Sequence, residues 1–334
     1  MSVNVTISAN HHLLISLHLQ CMSQKNTKIT FLILPHIHML DLSGPEQVFL
    51  EARDMGLAID IIHCSAVAEV TSSSGLSICQ LQSIDQVQIA EGDYIIIPGT
   101  DLTYTLNQPI PGKQQIFQWL RNANQQGAII CSICTGAFFL AESGLLDGLR
   151  CTTHWKRTKQ LASMYPALKV QEDVLYSEEI GFLTSAGVTA GIDLSLDIVS
   201  KLKDEQLAFN VARELVVYSR RKLDDPQISA YIDYRNHIHS GIHKIQDHIQ
   251  HSIGSDLSLG ALSKLANMSE RNLTRVFKKV TGITINEYVS IIRKEYLQKI
   301  KDDPELTRKQ MASLCGLKSE RHLIRLLKSP ITGQ

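Results

Sequence analysis

A ten-residue phrase occurs twice near the end of this chain. Ser269 to Lys278 reads SERNLTRVFK, and fifty positions later Ser319 to Lys328 reads SERHLIRLLK. Ser, Glu, Arg, Leu, Arg and Lys recur in register. Self-similarity of this kind means that one supersecondary unit has been used twice. Each copy has the logic of a short helix. Ser269 is a natural N-cap, and Leu273, Val276 and Phe277 fall three and four apart on one apolar face. Arg271, Asn272, Thr274, Arg275, Lys278 and Lys279 are left for the other side. In the second copy Leu323, Leu326 and Leu327 face inward, and Arg321, His322, Arg325 and Lys328 face outward.

A shorter amphipathic stretch precedes each copy, Ser258 to Ala266 and Thr307 to Leu314, followed by Asn267-Met268 and Cys315-Gly316-Leu317. Helix, tight turn and polar second helix is the helix-turn-helix layout, whose second helix enters the major groove. Arg, Asn and Thr read base edges, and Lys holds phosphates. A charge run is ordinarily a solvated face, but here the same face returns behind a similar turn. Between the copies, Ile285 to Ile300 reads as one helix with Tyr288, Ile291, Ile292, Tyr296 and Ile300 inward. Sixteen residues span about 24 Å as a helix. That is a strut able to hold two recognition helices in successive major grooves, ~34 Å apart.

From Ile238 onward the sequence resembles the AraC family of transcription regulators. The resemblance runs to Lys328 and includes Phe277-Lys278-Lys279 and Thr281-Gly282-Ile283-Thr284. It implies an all-α domain of two helix-turn-helix units, double-stranded promoter DNA as partner, and a homodimer. The family's second unit continues into a Gly-containing turn and a last short helix, whereas this chain ends Ser329-Pro330-Ile331-Thr332-Gly333-Gln334. Either the second unit is loosely packed or the chain is truncated.

Charge supports a division of labour. The whole chain has 33 basic and 33 acidic residues; residues 238–334 hold 16 and 9, so the remainder holds 17 and 24. A net +7 end on a neutral chain is the electrostatic footprint of nucleic-acid binding. Seven cysteines, odd in number and scattered through apolar runs, fit buried thiols in a reducing cytoplasm. No stretch reaches the ~20 apolar residues of a membrane span. Residues 1–27 read as a loose extension without a signal-peptide pattern, and Met22 is an alternative start.

Residues 28–221 alternate apolar strands with helices. Lys28 to Pro35, Ala58 to Cys64, Tyr94 to Pro98 and Ala128 to Ile133 read as strands, with a short one at Gly75 to Gln80. Helices are expected from Pro45 to Met55 and Gln114 to Gln125, and after Gly136. Others follow Gly191 and span Gln206 to Tyr218. This predicts an α/β, flavodoxin-like, doubly wound parallel sheet. Residues 222–237 read as a polar linker.

The chemical centre of that domain is the strand-to-helix turn at Cys134-Thr135-Gly136. A thiol there sits exposed at the sheet's carboxyl edge, beside the N–H groups of a helix start. His154 follows in Thr153-His154-Trp155. These residues resemble the PfpI-like, class I glutamine-amidotransferase-like superfamily. So do Leu40-Asp41-Leu42-Ser43-Gly44-Pro45, Pro98-Gly99 and residues 184–193 (TSAGVTAGID). The resemblance implies Cys134 in a nucleophile elbow with His154 close by. It also implies an acidic residue from the first strand-helix turn, a position matched here to Gln47. Thr100 stands where a second glycine is frequent. A neutral Gln cannot exchange a proton as a carboxylate does.

Three roles for Cys134 stay open: a vestige, part of a ligand pocket with Gln47, Thr135 and His154, or a nucleophile. The expected function is a DNA-binding regulator, not an enzyme, controlled by a small effector, by resemblance a nitrogenous metabolite. The rival is a cysteine-dependent hydratase or hydrolase carrying a DNA-binding tail. Cys131-x-x-Cys134 is not read as a redox pair, because Cys131 falls within the strand. His239 and His243 lack completing ligands, so no metal and no cofactor are implied.

Overall fold

The computed structural model describes residues 26–217, 221, 223, 227, 233–301 and 303–328. Residues 1–25 of the expected extension, most of the expected linker and residues 329–334 lie outside that set. The chain folds into two compact units, residues 1–227 and 228–334.

The first unit is built on a seven-stranded sheet of order β10-β11-β7-β6-β1-β2-β5. Its strands are β1 (Thr27–Leu32), β2 (Ile59–Ser65), β5 (Gln82–Ser83), β6 (Tyr94–Ile97), β7 (Ile129–Ile133), β10 (Tyr176–Glu179) and β11 (Phe182–Ser185). Every pairing is parallel except β10 with β11. The stretch at Gly75–Gln80 does not join this sheet. Its core, β4 (Ser77–Ile78), forms a separate antiparallel pair with β3 (Val70–Thr71). A further short pair joins β8 (Arg150–Cys151) to β9 (Lys169–Val170).

The continuous apolar run of β1 follows from burial on both faces. Ile29, Phe31 and Ile33 point into one core, and Leu32 and Leu34 into the other. Against the first face pack α1 (Met39–Asp54), α6 (Thr189–Leu202) and α7 (Glu205–Glu214). Against the second pack α3 (Lys113–Gln125), α4 (Gly136–Glu142) and α5 (Thr158–Met164). A short α2 (Leu102–Asn107) is capped by Asp101, whose carboxylate accepts from the Thr103 and Tyr104 amides.

One boundary matters for function. A helix was expected to open at Pro45, but α1 opens six residues earlier, at Met39, with Pro45 inside it. Proline costs a helix most where it removes a bond and crowds the carbonyl four residues back. Here that carbonyl belongs to Asp41, in the first turn of the helix.

The second unit comprises α8 (Ser240–His251), α9 (Leu259–Leu265), α10 (Glu270–Thr281), α11 (Ile285–Ile300), α12 (Arg308–Leu314) and α13 (Glu320–Lys328). Ile245, Leu262, Leu273, Phe277 and Tyr288 anchor one core, and Leu297, Met311, Cys315, Leu323 and Leu326 a smaller one. Helix α11 serves both, contributing Tyr288, Val289 and Ile292 to the first and Leu297 to the second. Among the described residues no helix is long and apolar enough to cross a membrane.

Candidate effector pocket and nucleic-acid interface

Cys134 lies between the end of β7 and the start of α4, with φ 56. That left-handed conformation is sterically costly for a non-glycine residue and is characteristic of functional turns. Two glycines make room for it, and a third lets the helix start close on β6. A Cβ on Gly187 would sit 2.8 Å from Cys134 Sγ, and one on Gly99 would sit 2.9 Å from Cys134 Cβ. A Cβ on Gly136 would strike the Pro98 carbonyl oxygen at 3.0 Å.

The carboxylate beside the thiol belongs to Asp41, not to position 47. Asp41 is 1% exposed. Its Oδ1 accepts from the Val188 amide at 2.6 Å, and its Oδ2 faces His38 Nδ1 at 3.4 Å. Ligand atoms of His38, Asp41 and Cys134 lie within 4.8 Å of one another. Gln47 instead lies exposed on α1 and donates its amide to Glu51 at 2.8 Å. Glu46 is turned to His63 Nε2 at 3.0 Å. The early start of α1 explains the difference. Asp41 is the first-turn acid of the helix that begins at Met39, whereas the resemblance matches the acidic position to Gln47.

Electrostatics at the thiol follow from this geometry. Burial, then the Asp41 charge, push the Cys134 pKa well above the ordinary thiol value, and the Thr135 backbone N–H opposes them. The Thr135 hydroxyl donates to the Thr100 carbonyl at 2.6 Å and accepts from the Thr100 amide at 2.9 Å. It therefore pins the turn. Thr100 itself is buried, and its hydroxyl pairs with that of Thr105 at 2.5 Å. Thr153 donates its hydroxyl to the Cys134 carbonyl at 2.7 Å, which fastens the following residue, His154, near the turn. His154 is half-buried and its Nδ1 accepts from the Lys156 amide at 3.4 Å. Burial, with Lys156 next, lowers its pKa, while Asp41 opposes them. The turn thus holds a thiol kept protonated beside the buried Asp41, and burial disfavours a charged His154. Cys131 is fully buried within β7.

In the second unit both turns end their first helix the same way. The left-handed residue is Asn267 (φ 52) in one and Gly316 (φ 63) in the other. In each, the next amide reaches back five residues, Met268 to Ser263 O and Leu317 to Ala312 O, the Schellman closure. Ser269 Oγ then accepts from the Asn272 amide and Ser319 Oγ from the His322 amide, both at 3.3 Å.

Arg271, Thr274, Arg275, Lys278 and Lys279 are exposed and line one shallow groove with Glu270 and Leu259. Arg321, Arg325 and Lys328 line the corresponding groove of α13, together with Ile324. Ile324 was not among the expected contacts, because an apolar residue at a helical spacing reads first as core; at 38% exposure it stands on the outer face. Asn272 and His322 occupy equivalent positions and line neither groove; both are half-buried. Asn272 Oδ1 accepts from Arg275 Nη2 at 2.9 Å and so orients that guanidinium. Burial lowers the His322 pKa, and the nearby Arg325 adds to the effect.

Comparison with known proteins finds a family match within each of the two units. Residues 249–290 match bacterial regulatory helix-turn-helix proteins of the AraC family. The HTH-type transcriptional regulator CdhR of Pseudomonas aeruginosa is 28% identical over 210 residues, 63% of this chain and 62% of that protein. The chain therefore spans less than two thirds of that relative's length. The isonitrile hydratase of Pseudomonas putida is 30% identical over 175 residues, 52% of this chain and 72% of the hydratase. A solved ThiJ/PfpI family protein from Pseudomonas syringae shares the fold with a TM-score of 0.50 at 22% identity, over 72% of this chain and 89% of that one. Residues 27–201, just over half of the chain, match the DJ-1/PfpI family, and the chain belongs to it.

Proposed function

We propose that this chain is a sequence-specific DNA-binding transcription regulator whose DJ-1/PfpI unit senses a small molecule. The observation that carries the reading is the duplicated recognition face. Arg271, Arg275 and Lys278 on α10 recur as Arg321, Arg325 and Lys328 on α13, each set exposed behind the same kind of turn. Arg271 and Arg275, with Arg321 and Arg325, are the base-reading set, and the lysines, Lys279 included, hold phosphates. Asn272 acts by orienting Arg275. Ile324 fits the apolar contact that a thymine methyl offers.

The effector site is the strand-to-helix turn at Cys134, with Asp41 and His154 as its polar contacts. An effector alters DNA binding only if it favours one conformation of the chain over another. A nitrogenous metabolite suits a pocket whose floor carries the Asp41 carboxylate. The protein works as a homodimer in the cytoplasm.

One observation favours a second reading. Asp41 supplies the carboxylate whose absence would have argued against chemistry at Cys134, and a hydratase is among the relatives. Against it stands the thiol, held protonated by burial and by Asp41 itself.

The experiment is the affinity of the full chain for its own upstream DNA, at two salt concentrations and against scrambled competitor. Specific, salt-sensitive binding that survives Cys134→Ser supports the regulator. Absence of sequence preference, with turnover lost in Cys134→Ser, supports the enzyme.

A further inference from the structure

The chain leaving the first unit does not run free of it. Arg221 binds Asp193 three ways: its backbone N–H meets Oδ1 at 3.0 Å, and Nε and Nη2 meet Oδ2 at 2.9 and 2.7 Å. Nη2 also donates to the Thr189 hydroxyl at 2.8 Å. The Leu223 carbonyl then accepts from the Leu175 amide at 3.1 Å. Gln227 inserts its amide group against residues 152–153, donating to Thr152 Oγ1 and the Thr153 carbonyl at 3.1 Å each and to the Glu172 carbonyl at 3.4 Å.

Both anchors sit one residue from the walls of the thiol pocket. Thr189 follows Val188, whose amide binds Asp41. Thr153 precedes His154, and its hydroxyl holds the Cys134 carbonyl. The anchors also differ in strength. Arg221 makes charge-assisted bonds to a buried carboxylate, the strong kind. Gln227 is only half satisfied, because its Oε1 is buried without a hydrogen-bond partner. A buried polar group short of its partners is held at a cost and is readily released.

We infer that Arg221, Leu223 and Gln227 act as a strap that reads the state of the Cys134 turn and passes it along the chain toward the helix-turn-helix unit. The inference rests on the regulator reading above. Ligand entry at Cys134 and His154 shifts the Thr153 carbonyl. Gln227, the weaker anchor, lets go first, and the strap loosens while Arg221 remains the pivot. The constraint on the segment leading to the DNA-binding unit then changes without any direct contact between effector and DNA.

Trypsin reads the strap directly in the full chain, because Arg221 can enter the protease only after leaving Asp193. Cleavage after Arg221, followed by mass spectrometry, is compared in wild type, Gln227→Leu, Thr153→Val and the double variant. Each single change is expected to speed cleavage roughly fivefold to tenfold, the range for losing one hydrogen-bonded anchor. The double variant is expected to cleave no faster than the faster single one, since both act on one link. Unchanged cleavage in Thr153→Val, or single effects that multiply in the double variant, overturns the strap. Thr153→Ala, which removes the same hydroxyl from the Cys134 carbonyl, serves in place of Thr153→Val should that variant fail to fold. Cleavage is scored without DNA. A failed strap therefore shows in trypsin digestion, whereas a failed regulator reading shows as absent specific DNA binding by wild type.

Discussion

The Val188 amide donates to Asp41 Oδ1 at 2.6 Å across 147 positions of sequence. Val188 holds φ 53, a strained value for a β-branched residue. Asp41 is buried on the other side against His38 and the thiol. The bond ties the first turn of α1 to the entrance of α6, and so fixes the two walls between which Cys134 sits.

Asp41→Ala removes that charged acceptor and leaves the part-buried Val188 N–H without its partner. The expected loss is about 1–3 kcal/mol, read from urea unfolding of the first unit. Asp41→Asn retains an amide oxygen that can serve as acceptor and is expected to lose less. It also removes the negative charge that raises the Cys134 pKa. Alkylation of Cys134 in Asp41→Asn is therefore expected at lower pH than in wild type, followed by iodoacetamide labelling and peptide mapping.

Gly187 and Gly144 both have positive φ, 85° and 78°, but differ in surroundings. Nothing lies within 4 Å of a Cβ on Gly144, while one on Gly187 runs into Cys134. Gly144→Ala is expected to cost only the left-handed backbone penalty, about 1–2 kcal/mol. Gly187→Ala adds an overlap at the elbow, typically a further ~1–3 kcal/mol. Equal thermal shifts for the two variants would show that the elbow yields to the added methyl.

His154 has a folded pKa below its unfolded value, chiefly through burial. The unfolded chain then takes up a proton that the folded chain resists, so folding is favoured above the unfolded pKa. That contribution declines as pH falls through about 6.5, the usual histidine value, toward the lower folded one. The urea midpoint of the first unit is expected to drop between pH 7.5 and 5.5. In His154→Gln the drop should be smaller.

On DNA, Arg271→Ala or Arg325→Ala is expected to cost about 1–3 kcal/mol on cognate sequence and to relax preference at one base position. Lys279→Ala should weaken cognate and scrambled DNA alike and lower the salt slope by about one. Asn272→Ala acts through Arg275, so its effect should largely vanish in an Arg275→Ala background. Ile324→Ala is expected to reduce discrimination at a thymine without altering the salt slope. Competition titrations at two salt concentrations separate these cases.

Much of this protein follows from local pattern. The repeated phrase, its serine caps, its turns and its outward charges are all contained within a few neighbouring residues. The helix-turn-helix unit is stabilised by such short-range rules, and for that reason it was legible. The doubly covered sheet was legible too, since a strand buried on both faces must be apolar throughout, as β1 is. The cysteine turn announced itself by a strand running directly into a helix.

Tertiary packing decided the rest. The resemblance matches the acidic position to Gln47, and nothing local reveals that α1 reaches back to Met39. Moving that start by six residues exchanged an exposed amide for the buried Asp41. The exposure of Ile324 depends on where the small second core ends, and the half-burial of Asn272 and His322 on which face of the helix that core claims. The docking of Arg221 and Gln227 joins residues 28 to 75 positions apart. Sequence determines which residues can form elements and caps by themselves. Which carboxylate meets the thiol, and where the outgoing chain is held, depends on contacts between elements that share no local signal, and these exist only once the sheet has brought them together.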